Sequence, residues 1–224
     1  MARIIPVKNM VDWDAIDNVF LDMDGTLLDL HFDNYFWLEH LPQRYAETYG
    51  KDPLKVREDL RSKYRKMKGT LDWYCLEYWQ IELRLDIVQL KRELMGKIRF
   101  RPNADYLLTE LKKMGKHVAL VSNAHRWSIE LKAESVLPMD KFNAVHSSHD
   151  FGYPKEEQQF WMDLQHAAGF DIGRTLFIDD NVQVLESAER FGIGHLLAIH
   201  QPDLQAEPVV AGKFRQIKDF KDLL

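Results

Sequence analysis

The 224-residue sequence predicts an α/β fold: a Rossmann-like parallel sheet with a helical block inserted directly after its first strand. Three observations carry that prediction. Short apolar runs end abruptly in polar residues at VFL-DMDGT (19–26), HVALV-SN (117–123) and TLFI-DD (175–180), which reads as buried strands emerging at their loop ends. Helical segments alternate with those runs from residue 102 onward, and such alternation implies a parallel sheet covered on both faces. The stretch 31–98, between the first run and the second, is helical in texture.

Within that stretch, Leu60, Tyr64 and Met67 recur at i, i+4 and i+7. Trp73, Leu76, Trp79 and Leu83 follow at spacings of three, three and four, so each set predicts one face of a helix. Pro42 suits a kink or a fresh helix start, and Gly50 with Pro53 punctuates the next break. Asn103 suits the N-cap of a helix to Met114, closed by Gly115. After the strand at 117–121 come a helix over 128–135 and a short strand over 144–146. A helix from Lys155 to Ala168, a strand over 175–178, a helix over 182–191 and a last strand over 195–199 complete the alternation. The tail 213–224 suits a short helix.

Composition narrows the class. An apolar fraction of 46% suffices for a core and excludes a disordered chain. A net charge of −5 gives no global attraction to nucleic acid polymers or anionic lipid. Cys75 is the only cysteine, which excludes an internal disulfide and points to a reducing compartment, the cytoplasm. No run approaches 18 apolar residues, and MARIIPVKNMVDWD lacks an apolar stretch of signal-peptide length before its first acids, so neither a membrane span nor a leader is expected. The sequence says nothing of oligomeric state.

Parallel strands bring their carboxyl ends to one side, where open α/β sheets place ligands. Asp22 and Asp24, Ser122 and Asn123, Lys155, and Asp179 with Asp180 are therefore expected to converge. Several ionised carboxylates in one cleft repel unless a cation intervenes, and all-oxygen ligation suits Mg²⁺. Lys155 adds a fixed positive charge, and the Ser122 hydroxyl with nearby main-chain N–H groups suits phosphoryl oxygens; Ser122, Asn123 and Lys155 are the expected substrate-binding residues of the floor. That inventory fits phosphoryl transfer. Asp22 is the expected nucleophile, forming an aspartyl-phosphate, and Asp24 the expected acid and base. Gly25 lets the chain turn sharply beside them. Asp179 or Asp180 also suits the N-cap of the helix after Ile178.

On these residues the chain resembles the haloacid dehalogenase-like (HAD) hydrolase superfamily: LDMDGTLL (21–28) is similar to its first motif, Ser122 to its second, Lys155 to its third and FIDD (177–180) to its fourth. The resemblance implies a helical cap of the first type over 31–98, a core of 1–30 and 99–224, and Mg²⁺ held by the Asp22 carboxylate, the Asp24 main-chain carbonyl and Asp180, with Asp179 as ligand or behind it. Many members carry a further acid where Val184 stands here. DLHFDNYFW (29–37), LDWYCLEYW (71–79), FGYPKE (151–156) and RTLFIDD (174–180) resemble the bacterial GMP/IMP nucleotidase branch, which implies purine nucleoside 5′-monophosphates as substrates. Two alternatives stay open: a phosphatase or phosphomutase for a sugar phosphate or other small phosphoester, and a non-catalytic binding protein; a dehalogenase needs neither metal nor second acid, and Asp24 with Asp179 and Asp180 speaks against it.

The segment 31–98 holds 11 of the 26 aromatic residues, enough to build its own core and leave some for a flat purine. Tyr35, Trp37, Trp73 and Tyr74 are the candidates for that wall. Guanine and hypoxanthine share an O6 acceptor and an N1–H donor that a side-chain amide matches, which makes Asn34 the candidate base contact. The basic run RSKYRKMK (61–68) reads as a solvated helix face with a minor role in attracting an anion. His146 and His149 read as ordinary polar residues rather than a metal pair, and Cys75 as a small residue of the cap core.

Overall fold

In the computed structural model, which describes residues 10–224, six parallel strands form one sheet. They are β1 (Asn18–Leu21), β2 (His117–Ser122), β3 (Ala144–Ser147), β4 (Thr175–Asp179), β5 (His195–Ile199) and β6 (Gln216–Ile217), in the order β3-β2-β1-β4-β5-β6. Residues 1–9, on which most of the reading of the N-terminal stretch MARIIPVKNMVDWD falls, lie outside the described residues.

Alternation along each strand sorts the core into two layers. Val19, Leu21, Val118, Leu120, Leu176 and Ile178 face one side, where Leu107, Leu108 and Leu111 of α7 (Ala104–Lys113) and Ile129 of α8 (Arg126–Ser135) cover them. Phe20, Ala119, Val121 and Phe177 face the other, under Phe160, Trp161 and Leu164 of α9 (Gln158–Ala168) and Leu185 of α10 (Val182–Phe191). Both faces are thus dry, which is why the strands read as continuous apolar runs.

Register sets the site. Leu21 pairs with Leu120 on one side and Ile178 on the other, so the residues following them emerge level at one edge. The Asp22 N–H continues the ladder by donating to the Ile178 carbonyl at 3.0 Å. The chain order reverses at β1, between β2 and β4, and a crevice opens at such a point.

Six helices fill the interval between β1 and α7: α1 (His31–Tyr35), α2 (Leu41–Tyr49), α3 (Pro53–Met67), α4 (Leu71–Tyr74), α5 (Leu76–Leu83) and α6 (Ile87–Arg92), with a π-helical turn over Phe36–His40. Phe36, Leu41, Val56, Leu60, Trp79 and Ile87 are buried in a hydrophobic cluster of their own. Trp79 lies fully buried among Trp37, Tyr64 and Trp73, with ring centroids 5.2–5.9 Å from it, and its indole N–H donates to the Trp73 carbonyl at 2.9 Å.

Four local expectations change. Trp73 does not share a helix with Leu76, Trp79 and Leu83, because Cys75 adopts an extended conformation (φ −83°, ψ 110°) and breaks the run, its Sγ accepting from the Tyr78 N–H. Asn103 does not cap α7 with its side chain. It sits at φ 62°, a conformation asparagine tolerates, and its amide donates to both Asp219 oxygens at 2.7 and 2.8 Å. The helix expected from Lys155 starts at Gln158, since Lys155 is drawn into the sheet edge instead. The tail adds the two-residue strand β6 before its short 3₁₀ turn (Phe220–Leu223), too brief a pairing for any period to announce.

Candidate active site

The carboxyl edge of the sheet carries the residues the sequence singled out. Asp22 follows β1 directly and is buried, and Asp179 closes β4 at the same level. The Lys155 ammonium lies between them, donating to Asp22 Oδ1 at 2.6 Å, Asp179 Oδ2 at 2.7 Å and the Val121 carbonyl at 3.0 Å. Burial works against the lysine's charge, but Asp179 and Asp22 together outweigh it and hold the ammonium above its ordinary range. Lys155 is brought there by Asn123, whose Oδ1 accepts the Lys155 N–H at 2.8 Å while its Nδ2 donates to Glu156 at 2.9 Å. Both ends of the Asn123 amide are therefore engaged in bracing the site, where the sequence suggested a contact to substrate. Ser122 ends β2, buried, its Oγ accepting from the Ala124 N–H at 3.1 Å.

Asp22, Asp179 and Asp180 can each offer an oxygen within 4.8 Å of the others. Their roles differ in what already holds them. Asp179 is spent on Lys155 and, through Oδ1, on the Asn181 N–H at 2.8 Å. No described residue donates a side-chain or main-chain hydrogen bond to Asp180, so its oxygens remain free. The expected N-cap role falls to neither aspartate: Asn181 caps α10, accepting from the Gln183 N–H at 3.0 Å. Burial raises the Asp22 carboxyl to about 6 against the pull of Lys155, and burial with repulsion from Asp179 and Asp22 raises Asp180 well above the ordinary range.

The charges fit a divalent cation. Ionising all three carboxylates against one ammonium would leave two negative charges uncompensated, which is the repulsion that raises Asp22 and Asp180, and an all-oxygen donor set of this kind suits a hard ion that relieves it. Gly25 sits at φ 82°, and a Cβ there would stand 2.6 Å from Asp180 Oδ2, so the glycine makes room for this carboxylate.

A second charge cluster escaped the sequence reading. Lys132 of α8 is buried and bridges Asp24 Oδ1 (2.5 Å) to Asp33 Oδ2 (2.7 Å), and Lys91 of α6, also buried, donates to Asp33 Oδ1 at 2.7 Å. Burial, reinforced by Asp33, raises the Asp24 carboxyl to about 7 against the pull of Lys132. Asp33 is held well below the carboxylate range: burial opposes this, but two lysines overcome it. This set is balanced, two cations against two anions, and so leaves the surplus negative charge with Asp22, Asp179 and Asp180. The signal lay in α8, where Lys132 falls three and four residues after the buried Ile129 and Ser128, on the apolar face.

Above these groups lies a cavity of about 740 Å³, walled by the helical block and by the loop 202–210 after β5. Trp37, Trp73 and Tyr74 line it, as do Asn34 and Lys68. Tyr35 does not; it lies under the Lys97 ammonium, 4.5 Å from the ring centroid. Asn34 has one amide N–H committed to Asp203 Oδ2 at 2.8 Å. Tyr74 reaches across to the sheet, its hydroxyl donating to Glu156 at 2.8 Å.

The fold and this edge of acids and lysine define a hydrolase class: over residues 16–192 the chain matches the haloacid dehalogenase-like hydrolase family, and it belongs to that family. It is 37% identical over 214 residues to the GMP/IMP nucleotidase YrfG of Escherichia coli (strain K12), covering 96% of each chain, and equally to that of Shigella flexneri. Among solved structures it is similar to a HAD phosphatase from Thermococcus onnurineus, with a TM-score of 0.77 at 18% identity over 93% of this chain and 96% of that one. The HAD-hydrolase YfnB from Bacillus subtilis, determined bound to magnesium, gives 0.62 at 15% identity over 93% and 96%. At such identities the structural likeness is one of fold. Among the described residues, no helix is long and apolar enough to cross a membrane.

Proposed function

We propose that this protein is a Mg²⁺-dependent phosphomonoesterase acting in the cytoplasm on purine nucleoside 5′-monophosphates, GMP and IMP, through an aspartyl-phosphate intermediate. One observation carries the reading: Asp22, Asp180 and Lys155 meet at the floor of a cavity whose upper wall is aromatic. The 37% identity to a GMP/IMP nucleotidase across nearly the whole of both chains supports the substrate class. The helical block 31–98 serves as a cap on a core of 1–30 and 99–224.

The Asp22 and Asp180 carboxylates and the Asp24 main-chain carbonyl would hold Mg²⁺, with Asp179 behind them. When bound, the ion supplies the charge neutralisation that admits a phosphate dianion to an acidic pocket. Asp22, its rotation fixed by Lys155, attacks phosphorus. The bond from phosphorus to the nucleoside 5′-oxygen breaks, and Asp24 gives that oxygen its proton; burial keeps this carboxyl near neutrality, suited to hold a proton and return for it. Water then attacks the phosphoryl group, Asp24 takes the water's proton, and the Asp22–phosphorus bond breaks to release phosphate. The Ser122 hydroxyl donates to a phosphoryl oxygen, Lys155 lends its positive charge beside it while its three N–H groups stay on Asp22, Asp179 and the Val121 carbonyl, and Asn123 braces Lys155. Trp37, Trp73 and Tyr74 stack the purine, and Asn34 meets its O6/N1 edge.

Phosphate release from GMP, IMP, AMP, CMP and a hexose phosphate, each with Mg²⁺ and with a chelator, tests this reading. GMP and IMP should exceed AMP by about tenfold or more in kcat/KM, since adenine leaves the pocket's polar groups unpaired. Chelation should remove the activity. Preference for the hexose phosphate, or its isomerisation, would replace the nucleotide reading; no release from any substrate would leave a binding protein.

Gly25→Ala offers a more local check. The new methyl group meets Asp180 while the backbone stays in a region costing an L-residue about 1–2 kcal/mol. The Mg²⁺ concentration for half-maximal activity should rise about tenfold or more, with partial recovery at high Mg²⁺. An unchanged Mg²⁺ dependence would remove Asp180 from the ligand set.

A further inference from the structure

Outside the acidic floor, the structure brings together three residues far apart in sequence. Cys75, in the break between α4 and α5, His125, at the start of α8, and His149, in the 3₁₀ turn Ser148–Asp150 after β3, each offer a ligand atom, all within 4.8 Å of one another. The two imidazoles stand with centroids 5.0 Å apart and planes at 75°. His149 Nε2 is buried and makes no well-formed hydrogen bond among the described residues, with the Tyr74 and Asn123 main chain close to the ring. A buried ring nitrogen without a partner is costly, and a metal ion is one partner that would satisfy it.

We propose that Cys75, His125 and His149 form a site for a transition-metal dication of the Zn²⁺ class, separate from the acidic floor, that clasps the helical block to the sheet edge. The donor set decides the class: one thiolate with two imidazoles suits Zn²⁺ and its neighbours, and is the wrong chemistry for Mg²⁺. Ligand atoms around tetrahedral Zn²⁺ lie about 3.3–3.6 Å apart, so donors already within 4.8 Å of one another need to close by no more than about 1.5 Å to grip an ion. Water takes the fourth position. Binding takes the Cys75 thiol to the thiolate, and its proton leaves to solvent.

The anchoring of the three donors gives the clasp its meaning. Ser147 Oγ donates to the Ala124 carbonyl at 2.7 Å and Ser148 Oγ to the Asn123 carbonyl at 3.2 Å, so the turn bearing His149 and the loop bearing His125 are pinned to each other and to the Ser122–Asn123 strand end. Cys75 comes from the other side, next to Tyr74, whose hydroxyl holds Glu156. An ion here therefore joins the cavity's aromatic wall to its floor. His146, three residues before His149, packs near Phe151 instead and is not part of the set.

Co²⁺ titration of the full chain tests this, because only a thiolate ligand gives a strong near-ultraviolet charge-transfer absorption with cobalt, and the acidic floor has none to offer. The wild type should develop that band and lose it when Zn²⁺ is added. Cys75→Ser, which keeps an acceptor for the Tyr78 N–H, should lack it, and His149→Ala should weaken binding about tenfold or more. Zn²⁺ should raise the Tm of the wild type more than that of Cys75→Ser, as a ligand bound only by the folded protein must. No thiolate band in the wild type, a band persisting in Cys75→Ser, or equal Tm shifts in both would overturn the proposal.

Discussion

Asp22→Asn should abolish phosphate release from GMP, lowering kcat by on the order of 10³-fold or more, while the protein stays folded. The amide is nearly the size of the carboxylate but is no nucleophile, so no aspartyl-phosphate forms and acid-quenched reactions should contain no phosphoprotein. Two opposing effects set the stability. Lys155 loses one anionic partner but keeps Asp179 at 2.7 Å and the Val121 carbonyl at 3.0 Å. At the same time the repulsion that helps raise Asp22 and Asp180 is relieved. These nearly cancel, so Tm should move by only about a few degrees. Full turnover in the variant would remove Asp22 from the chemistry; a collapse of Tm with it would mean that the carboxylate serves the fold instead.

Lys132→Met should act on both stability and rate. The ammonium is buried and answers Asp24 and Asp33 at once; methionine keeps its length and removes its charge. Asp33 retains Lys91, but no other lysine or arginine among the described residues bonds Asp24. Breaking such a buried pair costs about 3–5 kcal/mol, a fall in Tm of roughly 10 °C for a chain of this size. Measured well below that Tm, kcat should drop about 10²-fold with little change in the KM for GMP, because an unanchored Asp24 loses aim for the leaving oxygen but binds no substrate. A loss of stability without the kcat change would make Lys132 a structural residue alone.

Much of this site was legible because the local chemistry is stated in contiguous letters. The runs ending in DMDGT, SN and FIDD mark strand ends by the abruptness of the apolar-to-acid change, and parallel packing then has only one edge on which to collect them. Gly25 likewise carried its meaning locally, though the atom it makes room for, Asp180 Oδ2, lies 155 residues onward. Lys132 was marked only by its place on the apolar face of α8, and Lys91 and Asp33 looked like further charges on a helix. Asp33 and Lys91 belong to the helical block and Lys132 to α8 beside the sheet, so their alliance exists only where the two pack. The same holds for Cys75, His125 and His149, which no spacing rule connects.

The sequence by itself determined the α/β class, the strand ends that bear Asp22, Asp24, Ser122 and Asp180, and the position of the helical block, because these depend on hydrophobic period and short motifs that act over a few residues; Lys155 follows no strand and reaches the edge from the turn before α9. Only the tertiary structure decided which charges neutralise which. It paired Lys155 with Asp22 and Asp179, gave Lys132 to Asp24 and Asp33, and left Asp180 free of hydrogen bonds from described residues. The physical reason is range. A buried charge must find an opposite partner within a few ångströms, and which residue stands that close is set by the packing of helices on the sheet.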